Sequence, residues 1–134
     1  MKYLLLLCTL LITFSSFASE LSDAATAYQR GDYTTAFTIC EKLAEEGLAE
    51  AQYNLGLMCK NGEGTPQDYK EAIKWFTKAA EQGHASAQYN LGLMYKKGDG
   101  APQDYKEAIK WWTKAAKQGH ASAQYNLGLM YKKG

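Results

Sequence analysis

The sequence predicts an all-α protein, an α-solenoid of antiparallel helix-turn-helix repeats. The main observation is an internal repeat with a period of 36 residues, because residues 51–86 and 87–122 differ at only six positions. A second observation is that apolar residues in each unit recur at helical spacing, and that a loop containing Gly and Pro divides the unit in two. One such hairpin cannot bury its apolar faces alone, so the units are expected to stack.

The first 18 residues are interpreted as a cleavable secretory signal peptide. Lys2 precedes an apolar run, and the small residues Ser16 and Ala18 place the cleavage after Ala18. A membrane anchor is the alternative, but the apolar run is shorter than the roughly 20 residues that a spanning helix needs. The sequence therefore predicts a periplasmic or secreted protein that makes no membrane contact after cleavage.

Charge excludes one class of partner. The whole chain has 15 Lys plus Arg and 14 Asp plus Glu, and removal of the signal peptide takes away Lys2 and no acid. The remaining 14 basic and 14 acidic residues leave the mature chain formally neutral. A neutral chain has no general field that would attract nucleic acid, so we expect no nucleic-acid partner.

Four units follow the signal peptide. Residues 19–50 are a diverged first repeat, because the Asp-Tyr pair at 32–33 recurs 36 residues later while the preceding loop is shorter. Regular repeats occupy residues 51–86 and 87–122. Residues 123–134 are the first helix of an incomplete repeat.

The first helix of a regular unit is predicted from its spacing. Ala87, Leu91 and Tyr95 lie at i, i+4 and i+8, so they share one face. The stretch Gly98-Asp99-Gly100 and the following Pro102 end this helix, since these residues do not continue it.

The second helix of the unit is predicted to start at Asp104 and to end at Gly119. Asp104 is the expected N-cap and Glu107, three residues on, its reciprocal partner. Gly at the end is typical of a helix C-terminus. The apolar stripe of this helix consists of Tyr105, Ala108, Ile109, Trp112, Ala115 and Ala116.

These residues form the pattern Ala-x-x-x-Leu-Gly-x-x-Tyr-x-x-Gly, then Gly-x-Pro-x-Asp-Tyr-x-x-Ala-x-x-Trp, then Ala-Ala-x-x-Gly. The pattern resembles the Sel-one-like repeat (SLR) family, relatives of the tetratricopeptide repeats. The resemblance covers about residues 21–134 and is strongest from Ala51 onward. It implies a right-handed superhelix that serves as an adaptor for protein partners, and exported bacterial members are often linked to envelope complexes or host contact.

Residues that could carry chemistry are few. The only histidines, His84 and His120, lie one period apart at equivalent turns, and they are interpreted as polar residues flanking those turns rather than as metal ligands. No nucleophile and base occur in a recognisable catalytic motif. We therefore expect no enzymatic activity, no cofactor and no metal.

Two alternatives to an adaptor stay open at this point. Some cysteine-rich relatives are linked to penicillin binding or β-lactam hydrolysis, which suggests a cell-wall-directed enzyme, acting on β-lactams or peptidoglycan, or a muropeptide binder. The present chain lacks their cysteine pairs in successive repeats. The other alternative is a truncated, purely structural stub of a longer array.

Two cysteines remain after the signal peptide is removed. Cys40 stands where the other repeats have Phe76 and Trp112, and Cys59 stands where they have an aromatic residue such as Tyr95. On antiparallel helices these positions differ in height by only a few ångströms, at about 1.5 Å per residue. In an oxidising compartment this arrangement predicts a Cys40–Cys59 disulfide, and two buried thiols are the alternative.

A candidate partner-binding face follows the first helix of each unit. Tyr, Leu and Lys or Asn recur there at i, i+4, i+7 and i+8. The residues are Tyr53, Leu57, Lys60, Asn61, Tyr89, Leu93, Lys96, Lys97, Tyr125, Leu129, Lys132 and Lys133. The family resemblance assigns this face to the concave side, and a ladder of tyrosines, leucines and lysines suits an extended peptide or an acidic segment. The alternative is that Tyr and Leu pack between repeats while Lys keeps a solvated edge soluble.

The final helix has no second helix to cover it. The apolar residues Leu127, Met130 and Tyr131 are left without a neighbour, whereas a solenoid usually finishes with a polar cap. We interpret the chain as a fragment of a longer array. The alternatives are a protein partner or self-association with a second copy through this face.

Overall fold

The computed structural model describes the backbone of residues 2–133 and the side chains of residues 13–132. Within that range the chain forms seven helices and no strand, which confirms the all-α prediction. The helices are α1 (Lys2–Gln29), α2 (Tyr33–Glu45), α3 (Ala49–Asn61), α4 (Tyr69–Glu81), α5 (Ala85–Lys97), α6 (Tyr105–Lys117) and α7 (Ala121–Lys133). Each helix packs chiefly against its neighbours in the chain, as stacked antiparallel hairpins do. The handedness of the superhelix stays a prediction.

Helix α1 runs without a break through the predicted cleavage point after Ala18 and is 28 residues long. The apolar run of the predicted signal peptide begins among residues whose side chains lie outside the described part. No helix in the described residues is both long and apolar enough for a membrane crossing. The C-terminal part of α1 packs on α2, so residues 19–45 contain the first hairpin.

Aspartate side chains start the second helix of each hairpin. Asp104 Oδ1 accepts a hydrogen bond from the Glu107 backbone N–H at 3.1 Å, and Asp68 caps α4 in the same way. The reciprocal half of the expected capping box is not formed. The Asp104 N–H donates to the Tyr95 carbonyl at 2.8 Å, and the Glu107 carboxylate pairs with Lys110 instead.

Glycines in the loops allow consecutive repeats to pack closely. Gly98 ends α5 in the left-handed conformation with φ of 78°, as its position predicts. Gly100 has the same φ, and a Cβ added there would lie 2.7 Å from the Tyr69 carbonyl carbon at the start of α4. The loop after α5 therefore passes directly over the preceding hairpin, where a side chain would collide.

In the core of each regular hairpin, an aromatic ring of the second helix packs against a glycine of the first helix. Phe76 and Trp112 are both completely buried. A Cβ built on Gly56 would lie 2.6 Å from the Phe76 ring, and one on Gly92 would lie 2.6 Å from Trp112 Cδ1. Not every member of the predicted stripe is buried, since Tyr105 is 50% exposed at the first turn of α6.

Candidate protein-binding face

The odd-numbered helices α1, α3, α5 and α7 form one layer of the stack, which we call the odd-helix face. Every residue of the predicted partner-binding ladder lies on α3, α5 or α7. The amide of Asn126 in α7 donates to the Tyr89 hydroxyl in α5 at 3.5 Å, so neighbouring odd helices are in direct contact. The face is continuous from one repeat to the next.

The tyrosines of the ladder divide into two groups. Tyr53 and Tyr89 are half-buried and stack on the histidine that precedes the next odd helix, with ring centroids 4.6 Å apart for Tyr53–His84 and 4.8 Å for Tyr89–His120. Tyr125 is 69% exposed. Packing between helices therefore uses part of the Tyr53 and Tyr89 rings, and the rest of each side chain stays partly exposed.

The leucines and lysines of the ladder keep part of their surface exposed. Leu57 and Leu93 are half-buried against the core, and Leu129 is 38% exposed. Lys60 is also half-buried, and Lys96 places its Nζ 6.0 Å from the centroid of the Trp112 ring. The exposed polar members are Asn61, Lys97 and Lys132, while the side chain of Lys133 lies outside the described residues.

The two histidines cap helices, which is a more specific role than the turn-flanking position that the sequence indicated. His84 Nδ1 accepts a hydrogen bond from the Ala87 N–H at 3.2 Å, and His120 Nδ1 accepts one from Ala123 N–H at the same distance. Each ring is therefore the N-cap of an odd helix and the stacking partner of a tyrosine in the previous odd helix. His84 Nε2 lies 2.8 Å from a carboxylate oxygen of Glu50, which fixes the ring on its other side.

Sequence reasoning missed a network of glutamines. Gln88 is almost fully buried, donates to the Ala80 carbonyl at 3.1 Å and accepts from the Gln118 amide at 2.9 Å. Gln52 and Gln82 repeat this pairing one unit earlier, with 2.8 Å between them. A buried amide left without partners would cost about 1–3 kcal/mol, and here both amides are satisfied. The 36-residue recurrence of both glutamines was the signal that could have revealed the pairs.

The cysteines are free thiols in the structure, not the disulfide that we predicted. Both are buried, but they line different spaces on the two sides of α3. Cys40 lines a cavity between α1, α2 and α3, whereas Cys59 lines a groove between α2, α4 and the loop that precedes α4. Similar height along the helix axes was therefore not sufficient for a disulfide, because the two cysteine side chains also need to point toward each other.

The chemistry available to these thiols is limited. Burial raises the pKa of Cys40 to about 11, and burial together with the carboxylates of Glu71 and Asp68 raises the pKa of Cys59 to about 11. Thiolate is the reactive form, so little of it is present near neutral pH. In the part of the chain that the structure describes, no group of three His, Cys or carboxylate side chains could hold a metal ion.

Among the openings that border the first hairpin, two have a cysteine in their lining. The groove at Cys59 has a volume of about 390 Å³ and is bordered by the carboxylates of Glu41, Glu45, Asp68 and Glu71. The cavity at Cys40 has a volume of about 270 Å³ and opens on the odd-helix face, where Leu57 and Asn61 of the predicted ladder also line it. The odd-helix face thus combines exposed lysines with an apolar recess.

The chain matches known proteins along most of its described length. The family model of the Sel1 repeat matches residues 49–84, 85–120 and 121–134, so its units begin two residues before the boundaries predicted from the sequence. A Sel1 repeat protein from Oxalobacter formigenes is similar in structure, with a TM-score of 0.78 and 36% identity over 82% of this chain and 45% of that one. A protective antigen of uropathogenic Escherichia coli with an SLR fold gives a TM-score of 0.83 and 37% identity, over 90% of this chain and 27% of that one.

Curated relatives match over a shorter segment. DAP3-binding cell death enhancer 1 of Mus musculus is 51% identical over 43 residues, which are 32% of this chain and 8% of the mouse protein. The chain thus spans a small part of these relatives and less than half of the two solved structures. Because the family model matches more than half of the chain, the protein belongs to the Sel1 repeat family, whose helical repeats are scaffolds for protein–protein interaction.

Proposed function

We propose that this protein is an exported scaffold that binds a peptide or protein segment on its odd-helix face and performs no chemistry of its own. The setting that we propose is an envelope or host-contact process. One observation carries the proposal: a partly exposed leucine and a basic or amide tip recur on successive odd helices, as Leu57 with Asn61 and Leu93 with Lys97. An extended segment with matching apolar and acidic residues would meet the same pair in each repeat.

The chemistry of the face supports a protein partner. Leucine surface contributes hydrophobic contact, while flexible lysine tips such as Lys60 and Lys97 add attraction to acidic side chains at the edge of an interface. Tyr53 and Tyr89 serve the interface by fixing the spacing of the odd helices. The ligand surface is consequently narrower than the ladder predicted from the sequence.

The test is a crosslinking pull-down with residues 19–134 and two charge-reversed variants. Lys60→Glu plus Lys97→Glu changes the odd-helix face, and Lys70→Glu plus Lys106→Glu changes the even helices by the same net charge. We expect the wild type and the even-helix variant to capture the same partner and the odd-helix variant to lose it, while all three keep equal helical circular dichroism. Equal capture by all three proteins would contradict the proposed face.

Export has its own test. Expression of the complete chain with a C-terminal tag in a Gram-negative host should give a processed form in the periplasm or the medium. N-terminal sequencing of that form should begin at Ser19, or within a residue or two of it. An unprocessed chain that stays in the cytoplasm would contradict the exported part of the proposal and leave the binding face to be judged on its own.

A further inference from the structure

The cavity at Cys40 differs from every equivalent position in the regular repeats. It is about 270 Å³ in volume and is walled by Ala24 and Ala25 of α1, Cys40 of α2, and Leu57 and Met58 of α3. None of the residues that line it is a Lys, Arg, Asp or Glu. It is an uncharged, mostly apolar recess on the odd-helix face.

The regular repeats show what normally fills this space. Cys40 lies 36 residues before Phe76 and 72 residues before Trp112, and both of these rings are completely buried. Each ring packs against a glycine of the preceding odd helix, Gly56 or Gly92. In the first hairpin the ring is replaced by a thiol, so the volume that an aromatic side chain occupies elsewhere is left open.

Helix α1, which packs against α2 in the first hairpin, also differs from its counterpart α3. The buried residues Ala24 and Ala27 of α1 have the same spacing as Leu55 and Met58 of α3, which aligns Ala25 with Gly56. Ala25 is exposed, whereas Gly56 is covered by Phe76. Small residues on α1 and a small residue on α2 together produce the cavity.

We propose that this cavity is an anchor site for one aromatic side chain, Phe or Trp, of the peptide segment that the odd-helix face binds. The inference rests on the proposed function and specifies which side chain the face recognises. Leu57 and Asn61 belong both to the predicted ladder and to the cavity, so the anchor site is continuous with the binding face.

The size and polarity of the cavity select the anchor. An apolar cavity of about 150 Å³ is enough to bind benzene, so the larger space here accepts a phenyl or an indole ring. A charged anchor would lose its hydration and find no opposite charge among the lining residues. The amide side chains of Gln29, Asn54 and Asn61, which also line the cavity, are available to an indole N–H or to the peptide backbone. A buried aromatic anchor in a small pocket is the usual energetic centre of a protein interface.

The first experiment titrates indole and N-acetylphenylalanine amide into ¹⁵N-labelled residues 19–134 and follows the NMR signals. We expect saturable shifts of the Asn54 and Asn61 side-chain amides and of the Cys40 backbone amide. The signals of Gln88 and Gln118, which lie in the regular repeats, serve as internal reference and should not move. Absence of saturable shifts up to the solubility limit of both probes would overturn the anchor site.

A double variant closes the cavity with the residues that the regular repeats use. Ala25→Gly plus Cys40→Phe recreates the glycine and ring of the other hairpins, and it should weaken the binding of both probes by about tenfold or more. Cys40→Ala keeps the cavity open and should bind as the wild type does. Ala25→Gly alone controls for the fold of α1. Unchanged probe binding by the double variant would show that the probes bind elsewhere and would overturn the proposal.

The two levels of the proposal fail separately. If the double variant still captures the partner as well as the wild type while the odd-helix charge variant does not, the binding face stands and the aromatic anchor is wrong. If the probes bind in the cavity but charge reversal on either layer leaves capture unchanged, the cavity is an aromatic-binding site, while the proposed face and the assignment of the ring to a peptide bound there are both wrong.

Discussion

Helices α5 and α7 have the same thirteen residues, ASAQYNLGLMYKK, in two different surroundings. Helix α5 packs between α4 and α6, whereas α7 packs chiefly on α6. Both are helical from their first alanine to their last lysine in the described chain. The same sequence therefore makes the same helix twice, with and without a neighbour on its second side.

Burial, in contrast, differs at several equivalent positions, although Ala87 and Ala123 are both completely buried. Leu91 is completely buried in α5, while its counterpart Leu127 is half-buried in α7. Gly92 is covered by the Trp112 ring, and a Cβ on Gly128 would meet nothing within 4 Å. The comparison teaches that stability in this stack comes from the interface that a helix shares with its neighbours, and that local sequence supplies only the helix.

The largest expected effect is on the buried leucine. Leu91→Ala removes a side chain that is completely enclosed, and we expect it to lower the free energy of unfolding by about 2–5 kcal/mol. Leu127→Ala should cost less than about 1 kcal/mol, because part of that side chain is already in water. Urea denaturation followed by circular dichroism measures both. Equal losses would mean that α7 is covered in solution, for example by a second copy of the chain. In that case the free energy of unfolding would depend on protein concentration.

The glycine pair should respond with opposite signs. Gly92→Ala places a methyl group against the Trp112 ring and should destabilise the protein by about 1–3 kcal/mol. Gly128→Ala meets open space and should stabilise α7 by up to about 1 kcal/mol through helix propensity. The measurement is the thermal midpoint of each variant against the wild type. A stabilising Gly92→Ala would refute the tight ring-on-glycine contact.

The tyrosine pair sharpens the comparison on the odd-helix face. Tyr89→Ala removes the stack on His120 and the hydroxyl that accepts from Asn126, so we expect a loss of about 1–2 kcal/mol. Tyr125→Ala should change stability by less than about 0.5 kcal/mol, since its ring is mostly exposed. Chemical denaturation of the two variants in parallel decides the matter. A Tyr125→Ala variant that is the less stable of the two would show that this ring has a contact in solution.

The smallest effect concerns alkaline pH. Burial, with a contribution from the Glu107 carboxylate, raises the pKa of Tyr95 above its ordinary value of 10.0. The unfolded chain therefore loses this proton at lower pH than the folded chain does. The associated stability is complete below about pH 10 and is lost as the pH rises through the folded-state pKa.

Tyr95→Phe should reduce this loss of stability at alkaline pH. The measurement is the urea midpoint of unfolding, taken at a series of pH values from neutral to above the pKa of tyrosine. Cys40 and Cys59, whose pKa values are also raised, contribute a decline that wild type and variant share. An unchanged slope in Tyr95→Phe would show that this hydroxyl is as well hydrated in the folded chain as in the unfolded one.

Much of the architecture could be predicted from the sequence. The period located the hairpins, Asp68 and Asp104 located the starts of α4 and α6, and glycines located the ends of α3 and α5. These features depend on residues a few positions apart, so a linear pattern contains them. The predicted binding site stays a prediction, because a partner face depends on which sides of the helices stay uncovered.

The errors have the same origin. The Cys40–Cys59 bond was inferred from height along two helices, but the direction of each side chain around its helix places the thiols in separate spaces. Tyr53 and Tyr89 matched the spacing of an exposed ladder, yet the histidine that caps the next odd helix stacks on each ring. The cavity at Cys40 was visible in the sequence only as a missing aromatic residue.

The sequence by itself determined the helices, their caps and their period, because backbone hydrogen bonding and capping act over distances of a few residues. Only the tertiary structure decided which of two identical helices is buried, which tyrosines are mostly exposed and where the stack leaves a cavity. The physical reason is that a side chain is buried only where two surfaces pack against each other. A residue such as Leu91 or Leu127 becomes core only when the chain brings a second surface against it.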